Sequence, residues 1–203
     1  RFEEMDLVRN DSFFKESFNL NYVPAKETAR LYLEKMIPEK PLIDSEVELS
    51  TIQLLKSSKL TSISVKGREY LPIDIDTSPM DNSKSHKEGV SRTYKQFDGY
   101  HPIFSYIGRE GYMMHCELRE GKQHCQKGTV EFLQETIKLC HKLTDKPLLI
   151  RLDSGNDSID NVAVLMDTGC FFIIKRNLRR ESTDDWFEMA KQYCQNVNSP
   201  RDG

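Results

Sequence analysis

The run Tyr70-Leu71-Pro72-Ile73-Asp74-Ile75-Asp76-Thr77-Ser78 decides the fold when it is read with a second run, Pro147-Leu148-Leu149-Ile150-Arg151-Leu152-Asp153-Ser154-Gly155. Each is an apolar, strand-like stretch that ends on an aspartate. Desolvating a carboxylate is costly without a partner, so an acid at the end of a buried strand has little reason to be there for stability. Two such strands lying side by side bring Asp76 and Asp153 together. Like charges repel at that range, and a bound hard cation relieves the repulsion. The pair therefore points to a Mg²⁺ site for phosphoryl chemistry, with Asp76 and Asp153 as metal ligands and catalytic acids.

The order of elements around these runs is specific. Before them, residues 1–67 read as a polar, helical N-terminal segment. Pro24 suits a first helical turn, with Ala29, Leu31, Leu33 and Met36 as the apolar positions that follow. Pro38 and Pro41 break the pattern, and Ser45 caps a second helix running to Leu60. After the first strand comes a polar stretch from Pro79 to Gly99. Then His101–Ile107 and Tyr112–Leu118 flank a short glycine-rich turn and read as an antiparallel hairpin. A helix from about Lys127 to Leu143 precedes the second acid-bearing strand. A helix over Asn156–Thr168, a strand over Cys170–Lys175 and a helix over Thr183–Gln195 complete the order. The result is β-β-β-α-β-α-β-α. That layout predicts an α/β, ribonuclease H-like fold, a mixed five-stranded sheet of order 3-2-1-4-5 flanked by helices. In it the first and fourth strands are central neighbours, so the core spans residues 68–203.

Composition sets the limits. With 203 residues, 37% hydrophobic and 30% charged, the chain has enough material for one core and a smaller appendage. No apolar run is long enough to cross a membrane, and no signal-peptide pattern is present. Cys116, Cys125, Cys140, Cys170 and Cys194 are odd in number and form no CxxC, which fits reduced thiols in a cytoplasmic protein. His115, Cys116, His124 and Cys125 match no usual zinc spacing. The net charge of −3 argues mildly against a protein that coats nucleic acid, but binding depends on local patches. One patch is Lys84, His86, Lys87, Arg92 and Lys95; another is Lys175, Arg176, Arg179 and Arg180. Both flank the strand ends that carry the acids, and both also fit an ordinary solvated surface. Arg119, Lys122 and His124 follow the third strand, where a DNA backbone and plain surface are equally open readings.

Four segments carry a resemblance. Ile73-Asp74-Ile75-Asp76-Thr77-Ser78, Phe97-Asp98-Gly99-Tyr100-His101-Pro102, Glu117-Leu118-Arg119-Glu120-Gly121-Lys122 and Arg151-Leu152-Asp153-Ser154-Gly155, in this order, resemble bacterial insertion-sequence transposases of the DDE class, group 1. The resemblance extends from near the N-terminus to about Arg180. It implies that Asp76 and Asp153 are the first two catalytic acids and that Mg²⁺ or Mn²⁺ is the cofactor. It also implies that insertion-sequence ends and target DNA are the partners, cut and rejoined by a homodimer assembled on DNA in the bacterial cytoplasm and associated with the nucleoid. The family's third acid is a Glu on a helix beyond a β-rich insertion after the fifth strand. The chain opens at Arg1 and closes in the polar tail Asn198–Gly203, so it reads as a fragment truncated before that acid and inactive alone. Glu188 fits a solvated helix face better than the third acid.

Two rival readings stand beside this one. Asp74-Ile75-Asp76-Thr77-Ser78 resembles the nucleophile motif of haloacid-dehalogenase-type phosphatases, but Ser78 departs from it and that fold needs a helical crossover next. The other rival is a non-catalytic DNA-binding remnant of a transposase. Asp74 shares a strand face with Asp76, as a further site residue or as the partner of a nearby Arg or Lys.

Overall fold

The computed structural model describes residues 4–194. The polar tail from Asn198 and the end of the last predicted helix at Gln195 lie outside the described residues. The chain divides into two compact units after Leu54.

The first unit is helical: α1 (Met5–Val8), α2 (Ser12–Ser17), α3 (Lys26–Lys35) and most of α4 (Lys40–Ser57). Asp11 caps α2 by accepting from the Phe14 N–H at 3.0 Å. On α3, Arg30 pairs with Glu27 and Glu34, one turn away on either side. The break expected at Pro38 is a single 3-10 turn, Ile37–Glu39. Pro41 does not interrupt α4, because a proline in the first helical turn gives up an N–H that has no intrahelical partner.

The second unit holds β1 (Ile63–Val65), β2 (Arg68–Thr77), β3 (Met80–Asp81), β4 (Ser91–Arg92), β5 (Asp98–Tyr100), β6 (Ile103–Ile107), β7 (Tyr112–Glu117), α5 (Thr129–His141), β8 (Leu148–Leu152), α6 (Ile159–Asp167), β9 (Phe171–Ile174) and α7 (Thr183–Tyr193). The main sheet runs β7-β6-β2-β8-β9, with β1 paired to β2 besides. β2 is antiparallel to β6 and parallel to β8, and β8 is parallel to β9. Pro72 is accommodated inside β2 because the β6 ladder begins one residue later, at Ile73, and its carbonyl still accepts from the Gly108 N–H at 3.0 Å. Register places Leu71, Ile73 and Ile75 beside Leu148, Ile150 and Leu152, and all six are buried. On β6, Ile103, Ser105 and Ile107 extend the same layer. α5 packs on β7 and α6, and α6 on β9. Phe132, Leu133, Ile137 and Leu165 of these helices are buried. The other face carries Asp74, Asp76 and Arg151.

Two features depart from the sequence reading. Ile63–Val65 is a strand and not a helical continuation; it turns into β2 through Lys66 and Gly67, both with positive φ. The polar stretch after β2 contains a small three-stranded sheet of order β3-β5-β4.

Candidate active site

Asp76 stands next to last in β2, and Asp153 follows the last residue of β8. The parallel register pairs Asp74 with Arg151 and Ile75 with Leu152, so the next step brings Asp76 level with Asp153. Both acids line a cleft of about 740 Å³. Asp76 Oδ1 accepts from the Thr77 N–H at 2.7 Å. Asp153 Oδ1 accepts from the Gly155 N–H at 3.1 Å and from Asn156 Nδ2 at 2.9 Å, which fixes the carboxylate over the turn Ser154–Asn156.

The electrostatics are those of a crowded acidic pair. Desolvation by the cleft walls pushes the Asp76 pKa up; the Thr77 N–H opposes the rise, and the negative charge of Asp153 adds to it. His101 and Lys95 pull it partly back. Asp76 remains open to solvent by area, so the walls, and not full enclosure, remove its water. Cys125 donates from Sγ to the Gly155 carbonyl at 3.0 Å, and burial followed by the charge of Asp153 pushes its thiol pKa up. Among the described residues, no group of three or more His, Cys, Asp and Glu is placed to hold a metal ion, and that includes the four His and Cys residues weighed for zinc.

The expected cations fall into distinct settings. Arg92, Lys95 and Lys122 line the cleft with the acids. Arg92 also pairs with Asp98 at 3.2 Å, and Lys122 with Glu120 at 3.4 Å. Lys84 and Lys87 are exposed between β3 and β4 and do not line it. Lys175, Arg176 and Arg179 follow β9. Asp157 accepts there from Arg176 Nη1 and the Asn177 N–H, both at 2.8 Å, and its carbonyl accepts from Arg179 Nη2 at 2.9 Å. That set of bonds, led by the Asn177 N–H, holds the Asp157 carboxyl below its ordinary range.

Arg119 differs from expectation. Its side chain is 1% exposed and reaches Glu117 at 2.7 Å. Its guanidinium also donates to the carbonyls of Cys125 and Gly128 and to Thr129 Oγ1, at 3.0 to 3.2 Å. A group enclosed in this way has no surface to offer a DNA phosphate. Instead it braces the segment that forms one cleft wall. Asp74 is the partner of Arg151, and Glu188 pairs with Lys191 along α7 at 2.8 Å.

Sequence reasoning passed over Tyr94, His101, Gln123 and Asn177, all at the cleft. His101 is 4% exposed. Its Nδ1 lies 3.0 Å from the Gln123 carbonyl, which can only accept, so Nδ1 carries the proton.

Residues 7–196 match the family model described as transposase DDE domain, group 1. No curated protein matches the chain. Among solved structures, the chain is similar to a piggyBac transposase in a synaptic complex with hairpin DNA, with 14% identity and a TM-score of 0.38 over 56% of this chain and 25% of that one. It thus spans a quarter of that transposase's length. It is also similar to Mos1 transposase in a paired-end complex with the left transposon end, with 12% identity and a TM-score of 0.37 over 98% of this chain and 67% of that one. A Mos1 mariner paired-end complex with Mn gives 10% identity and a TM-score of 0.38, over 98% and 68% of the two chains.

Proposed function

Because the chain belongs to the family described as transposase DDE domain, group 1, we propose that it supplies the catalytic core of a DNA transposase, a metal-dependent enzyme that cleaves and transfers DNA strands at insertion-sequence ends. The observation that carries this is that Asp76, near the end of β2, and Asp153, just after the neighbouring β8, line one cleft, where the charge of Asp153 adds to the rise of the Asp76 pKa. In this reading the core expected over residues 68–203 is carried by the second compact unit, which starts at Leu55 and takes in β1, and the helical segment expected over residues 1–67 is the first unit.

The donor set fits a hard divalent cation. Mg²⁺ needs only one or two carboxylates when waters and substrate phosphates complete its shell, and Mn²⁺ accepts the same ligands. Asp76 and Asp153 would hold it, and when bound it would neutralise charge on the reacting phosphate and favour formation of the nucleophile. The chain's own residues do the rest. The Thr77 N–H, the Gly155 N–H and Asn156 orient the two carboxylates. Lys95 and Lys122, which line the cleft, meet DNA phosphates, and Arg92 adds a third cation. DNA is the partner, both element end and target, and a homodimer on DNA brings two ends together in the bacterial cytoplasm.

The phosphatase reading loses its nucleophile, since Asp74 is committed to Arg151 and β2 leads to strands, not to a helical crossover. The test is binding of Mn²⁺ in the presence of DNA, followed by electron paramagnetic resonance. Asp76→Asn and Asp153→Asn should each remove the bound signal, and each should abolish strand cleavage. Unchanged Mn²⁺ binding and cleavage in both variants would end the assignment of these two acids, whereas a parent that binds DNA but neither takes up Mn²⁺ nor cleaves would leave a non-catalytic DNA-binding module.

A further inference from the structure

The turn Thr93–Phe97 presents an aromatic ring at the mouth of the acidic cleft. Tyr94 lines that cleft yet is 62% exposed. Its hydroxyl has no hydrogen-bond partner among the described residues. A single exposed aromatic needs no explanation by itself. This one is held in place from two sides.

The first support is the turn. Thr93 donates from its N–H and from Oγ1 to the Phe97 carbonyl, at 2.8 and 2.9 Å. The Gln96 N–H returns to the Thr93 carbonyl at 3.0 Å, and Arg92 Nη1 donates to the Gln96 carbonyl at 2.6 Å. Gln96 adopts a φ of 66°, which these bonds enforce on a residue with a side chain. The second support is His101. Its ring centroid lies 5.3 Å from that of Tyr94 at an interplanar angle of 52°. His101 is itself buried and anchored to the Gln123 carbonyl. His101 props the Tyr94 ring, Lys95 Nζ lies over it, and most of the residue stays open to solvent.

The setting selects the ligand. Lys95 Nζ lies 5.9 Å from the Tyr94 ring centroid, and Arg92 and Lys122 share the rim. A rigid aromatic face between cations, beside two acids, suits a strand whose phosphates meet the cations and whose base meets the ring. A base inside a duplex cannot present its face, so the ligand is a nucleotide that is unpaired or drawn out of the stack.

We propose that Tyr94 is a stacking platform for an unpaired nucleobase of the DNA strand held at the Asp76/Asp153 cleft. This rests on the transposase reading above and adds to it the state of the DNA at the site. Because the ring is preorganised, little conformational entropy is lost on stacking.

The test compares two single-stranded probes of about 12 nucleotides, a length within the usual range of single-strand sites. One is oligothymidylate. The other has the same number of phosphates and abasic residues throughout. Both are titrated with the full chain by fluorescence anisotropy. Tyr94→Ala should weaken oligothymidylate binding by about 5- to 100-fold and leave the abasic probe unchanged, while Tyr94→Phe and Tyr94→Trp stay within about twofold of the parent. Equal loss on both probes, or no loss on either, overturns the stacking role while DNA binding by the parent stands. A parent protein that binds neither probe overturns the stacking role, while the transposase reading stands or falls separately on Mn²⁺ binding and cleavage with Asp76→Asn and Asp153→Asn.

Discussion

Asp74 and Arg151 face each other across the parallel β2–β8 ladder in a two-pronged ion pair, Nε to Oδ1 and Nη2 to Oδ2, both at 2.5 Å. The pair sits one same-face step before Asp76 and Asp153. Arginine's planar fork matches a carboxylate, so Asp74 is neutralised where it stands. That separates three acids in a small space into one that is ion-paired and two that line the cleft. Arg151 thereby keeps a third negative charge from adding to the repulsion at the cleft.

This pair gives the first prediction. Both side chains are close to half exposed, at 42% and 46%, so solvent screens them. A double-mutant cycle with Asp74→Asn and Arg151→Leu should return a coupling of about 0.3–1 kcal/mol, measured by urea denaturation. A coupling of zero would mean that the pair is not formed in solution.

The raised pKa of Asp76 gives a second, with a definite sign. An acid whose folded pKa lies above its unfolded value binds more protons when folded. Its contribution to stability is therefore full at pH values below the ordinary carboxylate range and falls as pH rises through the folded pKa. Asp76→Asn removes that penalty and keeps an oxygen for the Thr77 N–H. The variant should melt about 1–3 °C higher than the parent near pH 7, and the gap should close by about pH 3. An Asp76→Asn protein less stable than the parent at neutral pH would contradict the crowding of the two acids.

Arg119 supplies a third. Truncating it to Ala leaves the half-exposed Glu117 carboxylate without its partner and takes one donor each from the Cys125 and Gly128 carbonyls, which keep Thr129 Oγ1 and the Phe132 N–H, and it should cost about 1–3 kcal/mol in chemical denaturation. Arg119→Lys should recover less than half of this, because a single ammonium cannot replace the fork. Amide exchange in residues 120–128 should quicken in both variants. Normal stability with weakened DNA binding would restore the phosphate role.

What the sequence showed follows from how local each signal was. β2 and β8 were legible because unbroken apolar runs such as Leu148–Ile150 have few homes other than a sheet interior. α5 was legible from the spacing of Phe132, Leu133 and Ile137. The β3-β5-β4 sheet was not, because its strands are two or three residues long and carry no alternation. It depends on contacts distant in sequence: a Cβ on Gly121 would lie 2.0 Å from the Ser91 carbonyl oxygen and 2.3 Å from that of Gly99. That Asp76 and Asp153 come level was readable from their strand ends. The cations were not, since the same residue type serves as phosphate ligand or internal brace. Arg119 was drawn inward by Glu117, Thr129 and two carbonyls that no local pattern announces.

The cations that do line the cleft carry the last prediction. Each phosphate neutralised on single-stranded DNA releases counterions and adds about 0.7 to the salt slope, or about 0.9 on a duplex. Lys95 and Lys122 are mostly free to act in this way, since the Glu120 contact of Lys122 is a solvent-exposed pair. Lys95→Ala with Lys122→Ala should therefore flatten the duplex slope by about 1.5–2 and leave unfolding unchanged. Arg176→Ala should behave differently. Its guanidinium is engaged by Asp157 and Glu181, so its removal should loosen the segment after β9 before it alters any slope. Titrations of labelled duplex at several salt concentrations, beside thermal melts of the same variants, separate the two. If Arg176→Ala flattens the slope as much as the lysine pair does, the DNA path runs past β9 as well as through the cleft. If the lysine pair changes nothing, Lys95 and Lys122 are ordinary surface and the phosphates are held elsewhere.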